Sequence, residues 1–253
     1  MKYLSLPILL LCSATWTTAS FAANPQCTLR LAGDSTMQDV NPETNPEFGW
    51  GQVLPELVPD TTRIVNYAKG GQSTRTFIEE DRWQQLIDDT NPGDWVLIQF
   101  GHNDAAFDKQ ERYTAPVDYE ANLRRFVVDA RNKQAHPVLI TPVARRHLDD
   151  EGKLKDVHGI YPSLVHKVAE DMEVPLIDLF ESSSQHILEL GNLESIKLFV
   201  HIGPGVHPCC PEGRIDNTHF TRRGALEIAG LVKQEVKDRG PQELAACLTG
   251  DNL

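Results

Sequence analysis

A serine at the end of an apolar run, answered much later by an aspartate and a histidine three residues apart, is the inventory of an acyl-transfer catalyst. Ser35 lies in Gly33-Asp34-Ser35-Thr36, directly after the run 28–32, and the partners lie in Asp216-Asn217-Thr218-His219. A neutral hydroxyl is a poor nucleophile and needs a base within hydrogen-bond reach. The base in turn needs a carboxylate to fix its tautomer and to stabilise the imidazolium that forms. Ser35 is therefore the candidate nucleophile, His219 the base and Asp216 the orienter, the last two expected on a loop or single turn that sets both side chains to one side. A developing oxyanion also needs preorganised donors. The backbone N–H groups of Ser35 and Gly71 and the side-chain amide of Asn103, in Gly101-His102-Asn103-Asp104, are the candidates. Each of these short motifs alone reads as ordinary turn chemistry; their occurrence together carries the inference.

Such groups act only if the fold brings them to one place. Short, mostly apolar, β-branched runs at 28–32, 63–67, 94–100, 137–141 and 174–179 read as strands buried on both faces. Segments of helical period lie at 51–57, 74–89, 118–134, 157–172 and 222–237, with Thr221 as an N-cap for the last. This alternation predicts a three-layer α/β/α arrangement around a central parallel sheet. In such sheets, chemistry collects at the carboxyl ends of the strands. Ser35, Gly70-Gly71 and His102-Asn103 follow the first, second and third predicted strands, so all three motifs are expected on one sheet edge.

The N-terminus has the layout of a secretory leader: Lys2, an apolar stretch from Leu4 to Cys12, and small residues up to Ala22. Cleavage after Ala22 leaves a single expected domain of 231 residues, 23–253, in a secreted or periplasmic protein. No other segment nears the roughly 18 to 20 apolar residues of a membrane-spanning helix, and mean hydropathy is −0.34. The formal net charge of −12, with no basic cluster, argues against nucleic acid and anionic membrane as partners. A monomer is expected.

Four cysteines follow the leader, Cys27, Cys209, Cys210 and Cys247, and an exported chain favours their pairing. Cys27 with Cys247 would tie the termini together and leave Cys209 to Cys210. The competing arrangement bonds Cys247 to one of the vicinal pair and Cys27 to the other. His201, His207, Cys209, Cys210 and His219 crowd one segment, but their spacing matches no common zinc pattern, so no metal or other cofactor is expected. Trp50 is a candidate for stacking on a sugar ring, His102 for touching substrate, and Arg75, with Arg222 and Arg223, for pairing with uronate carboxylates; Trp83 and Trp95 read as core.

GDST, NYAKGGQS, FGHND and DNTHF together resemble the four blocks of the SGNH (GDSL-type) hydrolases, which contribute Ser, Gly, Asn and His in that order. The matching positions are Ser35, Gly71, Asn103 and His219. Within that superfamily the chain resembles the rhamnogalacturonan acetylesterase group, through GDSTM, the GWG at 49–51, GGQSTRTF, QFGHND and LFVHIGPGVHP. The resemblance implies a flavodoxin-like sheet and metal-free deacetylation of pectic polysaccharide outside the cytoplasm. The α/β-hydrolase elbow G-x-S-x-G is absent, since Met37 stands two residues after Ser35. Alternatives are a lysophospholipase or thioesterase on the same scaffold, which would want an apolar acyl channel, and a carbohydrate-binding protein without turnover, which would not need Ser35, Asp216 and His219 together.

Overall fold

The structure is a computed structural model that describes residues 27–250. The expected leader and its cleavage after Ala22 lie outside the described residues. Five parallel strands, β1 (Cys27–Gly33), β2 (Thr62–Asn66), β3 (Trp95–Gln99), β4 (His136–Ile140) and β5 (Leu176–Ile177), pair in the order β2-β1-β3-β4-β5. Side chains alternate between two apolar layers, as strand geometry requires. Leu29, Leu31, Trp95, Leu97, Val138 and Ile140 face one layer; Ala32, Val96, Ile98 and Leu139 face the other.

The first layer is completed by α1 (Trp50–Val53), α6 (Leu179–Ser195), α7 (Arg222–Arg239) and α8 (Gln242–Thr249). The second is completed by α2 (Thr74–Glu79), α3 (Arg82–Asp89), α4 (Pro116–Asn132) and α5 (Tyr161–Asp171). This is the predicted α/β/α sandwich. In α7, Ala225, Ile228, Ala229, Val232 and Val236 are buried at helical spacing, each large side chain stabilising the sandwich by roughly 1.5–3 kcal/mol. The Thr221 hydroxyl caps it, accepting from the Gly224 N–H.

Several local expectations change. The helix predicted over 74–89 is two helices, broken where Asp81 takes a left-handed φ of 59°. The strand predicted over 174–179 keeps only two residues, because the Asp178 carboxylate accepts from the Glu181 N–H and starts α6. Helices α6 and α8 were not anticipated. Nor was a second sheet, the antiparallel pair β6 (Phe199–Ile202) and β7 (Arg214–Phe220).

Of the cysteine arrangements considered, the structure has Cys27–Cys247 and Cys209–Cys210. The first joins the start of β1 to α8 and the second lies in the β6–β7 connection.

Candidate active site

The strand order reverses direction between β1 and β3, and the loops leaving those strands open a crevice there. Ser35 arrives on the loop after β1, Gly71 after β2 and Asn103 after β3, while Asp216 and His219 come from β7. A regular strand would turn residues three apart to opposite faces. The pairing prevents that: Phe199 pairs with Phe220 and His201 with Ile215, so residues 216–219 bulge outward opposite Val200 alone. The bulge, not a free loop, sets both side chains to one side. Within it the Asp216 Oδ1 accepts from the N–H groups of Thr218 (2.7 Å) and His219 (2.9 Å). Arg146 grips it from outside, its backbone N–H donating to the Asn217 carbonyl at 2.8 Å and its Nη1 to Asn217 Oδ1 at 3.2 Å.

The result is a continuous hydrogen-bonded line. His219 Nδ1 lies 2.8 Å from Asp216 Oδ2, and His219 Nε2 lies 2.9 Å from Ser35 Oγ. Burial pushes the Asp216 carboxyl upward, but the hydrogen bond and charge of His219 and the two backbone N–H groups outweigh it, holding the group ionised well below the usual range.

The Ser35 loop is braced from the core. Asp34 is fully buried, and its Oδ1 accepts from the backbone N–H and the hydroxyl of Thr36. Burial raises its carboxyl while those bonds oppose the rise. Gln99 Nε2 donates to the Thr36 hydroxyl (2.7 Å) and Gln99 Oε1 accepts from the Trp50 indole (2.7 Å). Trp50 is completely buried, so it cannot stack on a sugar ring, and that expectation is corrected. The flanking Gly49 and Gly51 explain the motif: a Cβ on either would stand 2.2 Å from Gln38 O or 2.5 Å from Met37 O, so the helix packs backbone to backbone beneath the Ser35 loop.

The three oxyanion candidates converge. Among the described residues, the N–H groups of Ser35 and Gly71 donate to no protein acceptor, and Gly71 adopts a φ of 81° that favours glycine. Asn103 Nδ2 donates one hydrogen to the Gln72 carbonyl at 2.8 Å, leaving the other available. Next to it, buried Asp104 accepts from the Thr74 N–H (2.9 Å) and hydroxyl (2.6 Å), lacing the loop after β3 to the start of α2. Burial drives the Asp104 carboxyl up to about 7 against the Thr74 and Thr114 hydrogen bonds.

His102 lines the crevice but is nearly buried. Its Nδ1 accepts from Arg145 Nε at 3.0 Å and lies 3.1 Å from His158 Nε2. Burial first, then the charges of His158 and Arg145, keeps it neutral. Arg75 is corrected too. Its guanidinium is spent on Glu79 (2.8 Å) and on the carbonyls of Tyr113 and Gln110, away from the crevice. Arg222 and Arg223 pair likewise with Glu56 and Glu227.

Sequence reasoning missed five residues here. Glu47 and Arg214 stand behind the imidazole: Arg214 Nη2 donates to Glu47 Oε1 at 2.5 Å and to Asp216 Oδ2, and Glu47 Oε1 is 3.7 Å from His219 Nδ1. Burial lowers the Arg214 guanidinium, but both carboxylates outweigh that and hold it charged. Lys109, Arg112 and Arg145 line the opposite wall. Arg145 follows the fourth strand end and was findable by the logic that found the other three. Glu47 carries no sequence signal, and Lys109 and Arg112 sit in a mixed-charge run that reads as solvated loop.

The His/Cys group weighed against a zinc pattern is dispersed. Cys209 and Cys210 are bonded to each other, His201 Nε2 meets Asn217 Oδ1 and His207 Nδ1 accepts from the Cys209 N–H. Glu47, Asp216 and His219 do bring ligand atoms within 4.8 Å of one another. The donor set does not suit a metal ion, since the Arg214 guanidinium already supplies the cation between the two carboxylates and His219 is turned to Ser35.

Residues 31–224 match the model of the GDSL-like lipase/acylhydrolase family. The chain is 41% identical over 211 residues to rhamnogalacturonan acetylesterase RhgT of Bacillus subtilis (strain 168), covering 83% of this chain and 89% of that one. It is also 41% identical over 211 residues to the probable rhamnogalacturonan acetylesterase YesY of the same strain, covering 83% and 92%. Among solved structures, the Bacillus subtilis protein YxiM superposes with a TM-score of 0.73 at 27% identity, over 86% of this chain and 58% of the other.

Proposed function

The chain belongs to the GDSL-like lipase/acylhydrolase family and is a carboxylic ester hydrolase, and from that premise we propose that it removes O-acetyl groups from plant cell-wall polysaccharide, rhamnogalacturonan in particular. The observation that carries the mechanism is the line from Asp216 through His219 to Ser35, at 2.8 and 2.9 Å. His219 Nε2 accepts the Ser35 proton as Oγ attacks the acetyl carbonyl. The N–H groups of Ser35 and Gly71 and the Asn103 amide receive the oxyanion. The imidazolium then gives its proton to the departing sugar oxygen, leaving an acetyl-serine. Water, deprotonated by the same imidazole, releases acetate and restores the serine. No step draws on a metal or cofactor.

A fatty acyl group finds little here. The crevice around Ser35 is about 290 Å³ and is walled by Glu47, Lys109, Arg112 and Arg145, which gives a long alkyl chain little apolar surface to bury against. A secreted or periplasmic location is part of the same reading, supported by the leader-like residues 1–22. Acetate release from acetylated rhamnogalacturonan, xylan and chitin fragments is the direct test, with the pectic substrate expected to react fastest and a serine-directed phosphonate expected to abolish the reaction. A faster reaction on lysophospholipid, or full activity after the phosphonate has labelled Ser35, would overturn it.

A further inference from the structure

Lys109, Arg112 and Arg145 present three cations on one wall of the crevice in a chain whose formal net charge is −12. Elsewhere among the described residues many arginines are closely paired: Arg75, Arg124, Arg214, Arg222 and Arg223 each meet a carboxylate at 2.8 Å or closer. The wall is different. Among the described residues, Lys109 and Arg145 have no carboxylate within 4.0 Å, and Arg112 reaches only Glu111, at 3.8 Å. The Arg112 Nε is buried without a hydrogen-bond partner, and Arg145 spends Nε and Nη2 on the ring and carbonyl of His102. Half-buried guanidinium groups left without a close anion are costly, and two of them, Arg112 and Arg145, beside the exposed ammonium of Lys109 and next to Ser35 point to an anion supplied from outside.

The geometry beyond Asn103 says what kind of anion. The same three cations also border a second hollow, continuous with the first through His102 and Asn103, whose other lining includes Phe107 and Val157. Phe107 is 74% exposed, an unusual position for an aromatic ring. An exposed ring beside unpaired cations suits a ligand with an apolar face and a carboxylate edge, which is the chemistry of a uronic acid residue. Asp108 is the carboxylate on this rim, and it forms no ion pair with the three cations.

Resting on the acetylesterase reading above, we propose that Lys109, Arg112, Arg145 and Phe107 form a uronate subsite next to the acetyl-binding crevice. The cations hold the carboxylate of a neighbouring uronic acid while Phe107 covers its ring. The enzyme is thereby directed to acetyl groups on acidic polysaccharide, and the subsite takes over the role that Trp50 and Arg75 cannot fill.

The test compares one acetylated rhamnogalacturonan oligosaccharide with the same oligosaccharide after its uronates have been reduced to neutral sugars. The wild type is expected to favour the acidic form by at least about tenfold in kcat/KM, mainly through KM, with the preference shrinking as salt is raised from 50 to 500 mM. Arg112→Gln and Lys109→Gln should each remove most of that preference, and Arg112→Lys should restore part of it. A measurement independent of turnover uses deacetylated oligogalacturonate binding to Ser35→Ala by calorimetry, expected to weaken about tenfold or more when Arg112→Gln is added. Equal use of the acidic and reduced substrates by the wild type would overturn the subsite while leaving the acetylesterase reading intact. Loss of activity in the variants in equal proportion on both substrates would also overturn it, by marking the wall as structural. Acetate release from xylan or chitin but from neither pectic form would instead remove the acetylesterase reading on which the subsite rests.

Discussion

Replacing Glu47 with Gln is the perturbation that most sharply tests how the imidazole is supported. Glu47 has a side chain only 9% exposed, and its Oε1 lies 3.7 Å from His219 Nδ1. A unit negative charge at that distance stabilises an imidazolium by about 1 kcal/mol in a water-like medium and about 4 kcal/mol at an effective dielectric of 20. The site is half-buried, and Arg214 shares the carboxylate, so the effective gain falls between these limits, at about 2 kcal/mol. Proton transfer from Ser35 places the positive charge on His219 in the transition state, so the loss should appear in kcat as a fall of about thirtyfold with little change in KM.

The charge count supplies the control. Glu47, Arg214 and Asp216 together carry one net negative charge; Glu47→Gln leaves none, with Arg214 Nη2 still 3.4 Å from His219 Nδ1. Adding Arg214→Met restores a net charge of minus one through Asp216. The double variant should therefore recover part of the lost kcat, measured under saturating substrate with p-nitrophenyl acetate and an acetylated oligosaccharide. A kcat for Glu47→Gln within a factor of two of the wild type, or a double variant whose losses simply add, would refute the electrostatic account.

Ser35→Ala should lower turnover by several decades with an unchanged unfolding midpoint, read from acetate release and thermal unfolding, since only the nucleophilic oxygen is lost. Asn103→Ala should lower kcat by roughly 10² to 10³ with a smaller effect on KM, and the Gln72 bond lost with it should show as a fall in stability of about 1 kcal/mol. Asp104 governs a pH effect. Burial pushes its folded carboxyl up to about 7 from the 3.8 of a free aspartate, so the folded state binds the extra proton between those values. Its contribution is complete below about pH 4, is lost as pH rises to 7 and is flat above, amounting to at most about 4 kcal/mol. Asp104→Asn should remove that slope from the difference between the two stability curves, measured by urea unfolding at pH 4, 5.5 and 7. Cys27→Ser should destabilise by up to about 5 kcal/mol, because the bond to Cys247 closes a loop across 220 residues; peptide mapping without reductant should recover Cys27 joined to Cys247.

How much was legible in the sequence follows the range of the interactions concerned. Five strands and most of the helices on the two faces of the sheet carry their own periodicity, so the sandwich was readable from runs such as 28–32 and 118–134. The groups used in the proposed mechanism stood out because each sits in a short motif: Ser35, Gly71 and Asn103 follow strand ends, which the α/β architecture sends to one edge, and Asp216 and His219 share the four-residue stretch 216–219. Chemistry that depends only on a residue and its immediate neighbours leaves a local trace. The order β2-β1-β3-β4-β5 leaves none, because pairing is decided by crossovers and not by any strand alone.

The same reason explains the misses. Trp50 looked like a sugar platform because a tryptophan between glycines has no period; only the sheet beneath it shows that the glycines allow close packing and the indole is committed to Gln99. Arg75 looked free because, beside the local Glu79, its carbonyl partners at 110 and 113 lie on another loop. Glu47 meets Arg214 across 167 residues, and the β7 bulge that turns Asp216 and His219 together exists only in its pairing with β6. A side chain's type is local, whereas its burial, its partner and its charge environment are properties of what the chain brings against it. The sequence by itself thus determined which groups can react, and the tertiary structure decided which of the remaining charges support them and which are left facing the crevice.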